Sequence, residues 1–284
     1  MRTIYFALLA FFTIQPCIAQ VSDHQRIGVE PDAVYELSMD ASSSLSVYSQ
    51  NGSDIFFLDS SLSAEFSIDR VWAAGITLPF AMRLLEAYGG TVSSDLGLGD
   101  AGLSGRYSSR IGDVRYSVSA DLGIPTGRWE PYELPGGNVS FGSGRWTLGT
   151  GLSASVIKDP VVLGVSVSYS MGLPRSERYG YSWEPGSFSL GLILTEILND
   201  SIGYSLRLAQ SLSLPTVYEG AIESQGCTYS ASLMLGVFYQ RDDWTLSINA
   251  SKSVTDVQAA GTIGVSVSRT LELPPRIKEE ESES

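Results

Sequence analysis

The sequence predicts an all-β fold: a transmembrane, antiparallel, up-and-down β-barrel of about 12 strands. Three observations carry that expectation. Segments of roughly ten residues alternate apolar with small polar side chains from Tyr35 to Val267. The links that join them are short and polar after every second strand and longer after the others. The N-terminus reads as an export signal.

Residues 1–19 carry a charge at Arg2, an apolar stretch from Ile4 to Ile14, and small residues at Cys17 and Ala19, which predicts cleavage before Gln20. The apolar stretch falls short of the roughly 18 residues that a spanning helix needs. A lipoprotein signal at Cys17 is the rival reading, and Gln15-Pro16 are poor substitutes for the small residues that such a signal uses. Residues 20–32 lack periodicity and are expected to form a short extension, periplasmic or inside the lumen. The barrel is expected over 33–273.

The first strand holds Tyr35, Leu37, Met39, Ala41, Leu45 and Val47 on one parity, and the turn Asn51-Gly52 leads to a second with Leu58, Leu62, Ala64, Phe66 and Ile68. After Asp69-Arg70, Trp72, Ile76, Leu78 and Phe80 form the third, followed by an expected loop from Leu84 to Leu96. Strands four and five are the hairpin Ala101–Ile124, turning at Gly112-Asp113 and ending at Pro125-Thr126-Gly127. A long loop over 125–144 precedes strand six (Leu148, Leu152, Val156), and Lys158-Asp159-Pro160 turns into strand seven (Leu163, Val165, Val167). An aromatic loop is expected over 172–186. Strands eight to twelve are marked by Leu190 and Leu192, Leu206 and Leu208, Leu233 and Leu235, Leu246 and Ile248, and Ile263 and Val265. Loops at 215–226 and 254–260 separate the last pairs. The tail 274–284, with Glu279-Glu280-Glu281, is a solvated acidic run.

A soluble sandwich also shows period two, but it has no reason to segregate short and long links to opposite ends of its strands. Trp72, Tyr107, Tyr116, Tyr239 and Trp244 fall beside short turns, where an interfacial girdle belongs. The apolar face is therefore expected against lipid, and the Ser/Gly/Thr face in the lumen. That parity also places Glu36, Asp40, Asp59, Glu65, Arg83, Arg106, Arg115, Asp121 and Arg207 inside. Such charges act as a structural network, as the polarity of a translocation path, or as both.

Composition excludes several classes. With 18 basic against 31 acidic residues, a formal net charge of −13, the surface is unsuited to nucleic acid. Once the signal is removed, Cys227 is the only cysteine left, so neither a disulfide framework nor a thiolate metal site is expected. No metal or cofactor is expected. Gly97, Gly99 and Gly102 match G-x-G-x-x-G, and Gly149, Gly151 and Ala154 match its variant. Period two runs through both, whereas a dinucleotide site needs a helix there. The only histidine, His24, lies in the unpatterned extension and no G-x-S-x-G occurs, so no enzyme is expected and a rim hydrolase is set aside.

Gly97-Leu98-Gly99-Asp100, the strand pair ending in Leu122-Gly123-Ile124-Pro125-Thr126-Gly127, and Gly142-Ser143-Gly144-Arg145-Trp146 with Leu148-Gly149-Thr150-Gly151-Leu152-Ser153 carry a resemblance. They resemble the outer-membrane transporter-like family named for the MetA pathway of phenol degradation, over residues 97–172. The resemblance implies a Gram-negative-type outer-membrane barrel passing small, often hydrophobic or aromatic compounds, distantly similar to long-chain fatty-acid channels. It implies no catalytic residues. The expected function is thus a monomeric channel or transporter-like barrel whose partners are outer-membrane lipid and a small-molecule solute. The alternative is a closed structural or ligand-binding barrel that uses its aromatic loops at 125–144 and 172–186.

Overall fold

The structure, a computed structural model, describes residues 34–50, 53–87, 91–127, 132–134, 137–139, 141–177, 180–199, 201–218, 221–222, 226–255 and 261–273. The signal segment, His24, the N-terminal extension and the acidic tail lie outside the described residues.

Twelve strands form the wall: β1 Tyr35–Gln50, β2 Ser53–Ile68, β3 Trp72–Ala87, β4 Ala101–Ile111, β5 Val114–Ile124, β6 Thr147–Lys158, β7 Val161–Glu177, β8 Gly180–Ile197, β9 Ile202–Ser213, β10 Thr228–Arg241, β11 Trp244–Ser253 and β12 Thr262–Leu273. Each pairs antiparallel with its sequence neighbours, and β1 pairs with β12 from Tyr35↔Leu273 to Ser46↔Thr262, which closes the ring. Closure leaves no sheet edge around the ring, the condition for strands to cross a bilayer.

The registers stagger strongly. Directly paired residues climb from Tyr35, beside a short turn, through Ile68, Trp72, Tyr107 and Val118 to Leu152 and Val167, and on through Leu190 and Gln210 to Ala231 near the opposite rim. For twelve strands, that stagger corresponds to a tilt of about 40°.

Side chains alternate across this wall. Leu62, Leu152, Leu235 and Ile263 are 51, 60, 59 and 62% exposed and point outward. The alternate positions are mostly small and polar, and serines there hydrogen-bond across strands on the inner face: Ser42 with Ser61 at 2.7 Å, Ser117 with Ser153 at 2.7 Å, and Ser247 with Ser266 at 2.7 Å. An exposed leucine in a lone soluble protein costs stability, whereas a closed ring of them is what a lipid solvent requires. One outward pair departs from this rule: Ser43 and Ser60 face lipid but hydrogen-bond each other at 2.9 Å.

Aromatic residues mark the edges of the apolar band. At the short-turn rim Trp72 packs on Tyr107 with centroids 4.8 Å apart, and Trp244 lies beneath Arg269 at 5.1 Å. Within β10, Tyr229 and Tyr239 are 54 and 43% exposed. They stand ten residues apart, which at this tilt is about 25 Å of height, the thickness of a barrel's lipid-facing band.

Two expected loops turn out to be strand. β3 continues to Ala87 and is met by a further piece, Thr91–Leu98, which pairs back onto it before β4. The region expected as the 172–186 loop is the upper arms of β7 and β8, paired out to Glu177↔Gly180 across bulges. Above the band both faces meet water, so alternation disappears from the sequence while backbone pairing persists. β5 and β6 stop lower than these arms, and the chain between them carries a small hairpin, Tyr132–Leu134 with Gly137–Val139.

Candidate functional site

The inner wall starts from serine. A β-strand with serine on every second position offers one hydroxyl per inward step, and neighbouring strands bring those hydroxyls opposite one another. The result is a polar lining in which Ser38 meets Thr270 at 3.0 Å, Ser46 meets Thr262 at 2.8 Å and Ser211 meets Ser230 at 3.0 Å. Eight strands are enough for side chains to fill a barrel, so a twelve-strand ring lined by serine and glycine encloses more space than its lining occupies.

The nine sequence-predicted charges all sit at inward register positions, and the structure brings few of them together. Glu65 and Arg106 pair at 2.6 Å, reaching across β3. The pair passes over Gly75, whose partners are Glu65 on β2 and Ser104 on β4. Asp40 on β1, Arg115 on β5 and Asp121 on β5 have no ion-pair partner among the described residues. Asp59 stands opposite Ala81 and Ser44. Arg207 on β9 lies along the wall beside Gly191, where an added Cβ would be 3.7 Å from its Nη2. Arg83 holds an inward position opposite Phe57, and its side chain lies outside the described residues. Eight of these charges belong to β1 to β5, and Arg207 is the one on β9.

Glu36 finds a partner that strand parity does not reveal. It is buried, and its carboxylate accepts from Arg70 Nε at 2.7 Å and from the Ser67 hydroxyl at 3.4 Å. Arg70 belongs to the turn after β2, where Asp69 and Arg70 both take left-handed backbone with φ of 52° and 56°. That turn swings the guanidinium back under the lumen, where it also stands 3.5 Å from Glu272. Turn side chains follow no two-residue period, so only the tertiary structure places this one.

At the opposite mouth a second assembly gathers around Asp100. Its carboxylate accepts from the backbone N–H of Gly127 at 3.0 Å, the N–H of Ser143 at 2.5 Å and the Ser143 hydroxyl at 2.7 Å. Thr126 adds a bond from the Ala101 N–H to its hydroxyl at 2.8 Å. Phe141 is buried against the inner face of the Thr91–Leu98 piece, and an added Cβ on Gly97 would lie 2.5 Å from its ring. Four residues on, Arg145 is 4% exposed, donates to Ser182 at 3.1 Å and stands 3.3 Å from Glu184. Its Cδ occupies the space a Cβ on Gly172 would need, and Arg175 donates to the Ser143 carbonyl. Gly97 and Gly99 of the first glycine-rich motif thus let a second layer of chain lie on the barrel's inner face, whereas Gly149 and Gly151 of the second make room for Asp121 and Ser119 of the neighbouring strand. No phosphate cradle is formed, since strand rather than helix follows them.

No protein-family model matches the sequence, and no curated protein is similar to it. Solved structures do match. The COG4313 outer membrane channel from Pseudomonas putida F1 superposes with a TM-score of 0.68 at 10% identity, over 86% of this chain and 97% of that one. The NanC porin superposes with a TM-score of 0.51 at 11% identity, over 82% of this chain and all of that one. The sequence resemblance to the MetA-pathway family implied a barrel of this kind, and at these identities the likeness is one of fold: a closed twelve-strand barrel of the outer-membrane type.

Proposed function

We propose that this chain is an outer-membrane channel for small polar solutes, exported by its N-terminal segment and working as a monomer in the lipid of a Gram-negative-type outer membrane. The observation that carries this reading is the hydroxyl-paired inner wall of a twelve-strand ring. Hydroxyls opposite hydroxyls exchange hydrogen bonds with water and with polar solutes at little cost, and the mixed charges supply polarity without one dominant sign. The likeness to a Pseudomonas putida outer membrane channel and to a porin supports it.

The family resemblance implies hydrophobic or aromatic cargo. A lining made mostly of serine hydroxyls favours polar cargo instead, because an apolar solute would have to displace water from hydroxyls and return nothing. The nine inward charges are proposed to line the path, with Glu65–Arg106 and Glu36–Arg70 as internal neutralisation and Asp40, Arg115 and Asp121 as groups that meet the permeant.

Liposome swelling tests the proposal. Vesicles holding the purified barrel, isosmotically challenged with pentoses or small amino acids, should swell, and planar bilayers should show discrete conductance steps. A heat-modifiable barrel with no flux and no conductance would overturn the channel reading in favour of a closed structural or binding barrel. Faster entry of aromatic acids than of pentoses would overturn the polar preference alone.

A further inference from the structure

We propose that residues 141–145 are the size-selecting element of this channel and that Asp100 is the residue that positions them. This rests on the channel reading above. Over most of its height the inner wall is a single layer rich in serine and glycine, with the inward charges and a few larger side chains such as Phe238 over Gly203 and Ile193 over Gly164 set among them. At the mouth, residues 141–145 lie on the inner face as a second layer, and that layer carries the bulky Phe141 and Arg145.

The belt is held at both ends. At one end Phe141 covers Gly97 and the Asp100 carboxylate takes both Ser143 donors. At the other, Arg145 is fixed over Gly172 by Ser182 and Glu184, and Arg175 holds the Ser143 carbonyl. The belt thus joins the Thr91–Leu98 piece and Asp100, just before β4, to the upper arms of β7 and β8. Flux through a pore is governed by its narrowest part, and a second layer of chain on the inner face narrows the lumen where it lies.

Asp100 acts through geometry. Its three accepted hydrogen bonds draw together Gly127, which leaves β5, and Ser143, which leads into β6. A carboxylate satisfies three donors at once. An amide in its place would set an N–H group against a donor, and alanine would satisfy none.

Single-channel conductance and the largest polyethylene glycol that enters the pore are the readouts, with heat-modifiable gel migration as proof of a folded barrel. Asp100→Ala and Asp100→Asn should each raise conductance by about two-fold and admit a larger polymer. Ser143→Ala, which removes one of the three bonds, should give a smaller rise. The double variant Asp100→Ala/Ser143→Ala should fall short of the sum of the two single effects, since they share the Asp100 joint, while the Ser143 hydroxyl also bonds the Arg145 backbone. Phe141→Ala leaves the Asp100 joint intact and should still enlarge the polymer cut-off, which carries the test if the Asp100 variants do not fold. A conducting wild type whose folded Asp100, Ser143 and Phe141 variants all keep its conductance and cut-off would overturn the belt proposal. A silent wild type would overturn the channel reading instead.

Discussion

Arg106 stands 2.6 Å from Glu65 although the two belong to β4 and β2, with β3 between them. The bridge is possible because the inward β3 positions opposite Glu65 and Arg106 are the small Gly75 and Ala73, where longer side chains would stand between the charges. Their side chains are 33 and 17% exposed, so water in the lumen screens the pair only in part.

That pair predicts a charge-selectivity switch. Glu65→Gln should leave Arg106 uncompensated and shift the reversal potential in a potassium chloride gradient toward anions. Arg106→Gln should shift it toward cations. Each should cost about 1 kcal/mol of barrel stability, between the values for exposed and for fully buried pairs. Identical reversal potentials in all three proteins would place the pair off the ion path.

Adjacent residues on β2 test which face meets lipid. Leu62 is 51% exposed and outward, and Ser61 is inward against Ser42. Leu62→Arg should destabilise insertion by about 2–4 kcal/mol, the depth-dependent cost of a cation on the lipid face. Ser61→Arg should fold and instead lower conductance. If Ser61→Arg blocked assembly while Leu62→Arg folded normally, the facing would be reversed.

Asp243 predicts a dependence on pH at the short-turn rim. The Arg269 guanidinium, 2.7 Å away, holds its carboxyl below the ordinary carboxylate value. A depressed folded value means the contribution is complete above the ordinary value of about 4 and is lost as pH falls through the folded one. Asp243→Asn should therefore lower the temperature of the gel-migration transition at pH 7, and the gap to wild type should close under strong acid. A gap of constant size across that range would show that the ion pair contributes nothing.

Two glycines with positive φ should respond differently to alanine. Gly186, at the bulge in the upper arm of β8, has φ of +116°, and an added Cβ would lie 2.1 Å from the Ser170 carbonyl oxygen. Gly112, in the tight turn between β4 and β5, has φ of +58° and open space around the Cβ position. Gly186→Ala should cost about 3 kcal/mol or rearrange the arm, whereas Gly112→Ala should cost about 1 kcal/mol. Equal shifts in thermal transition for the two would contradict the close approach to Ser170.

Much of this was legible because lipid imposes a strict code. A strand inside the bilayer must show one apolar face, so Leu58, Leu62 and Phe66 in β2, or Leu233, Leu235 and Val237 in β10, announce both the strand and its facing. The short turns at 69–71, 112–113 and 242–243 announce the rim. The code falls silent above the band, and there the described residues of the expected loops at 84–96 and 172–186 proved to be paired strand.

The sequence by itself determined the class, a barrel of about twelve crossings and the alternation of one apolar face with one polar face, because period two and bilayer thickness leave little choice. Only the tertiary structure decided which charges meet: Arg70 swinging from its turn to Glu36, Arg106 crossing β3 to Glu65, and Asp100 capturing Ser143 at a separation of 43 residues. Those contacts depend on barrel closure and stagger, which bring together positions that no local pattern relates. The glycines of the Gly97–Gly99 motif show the difference plainly. Their spacing resembles a nucleotide fingerprint, and only the fold reveals that they are small so that Phe141 can lie against the wall.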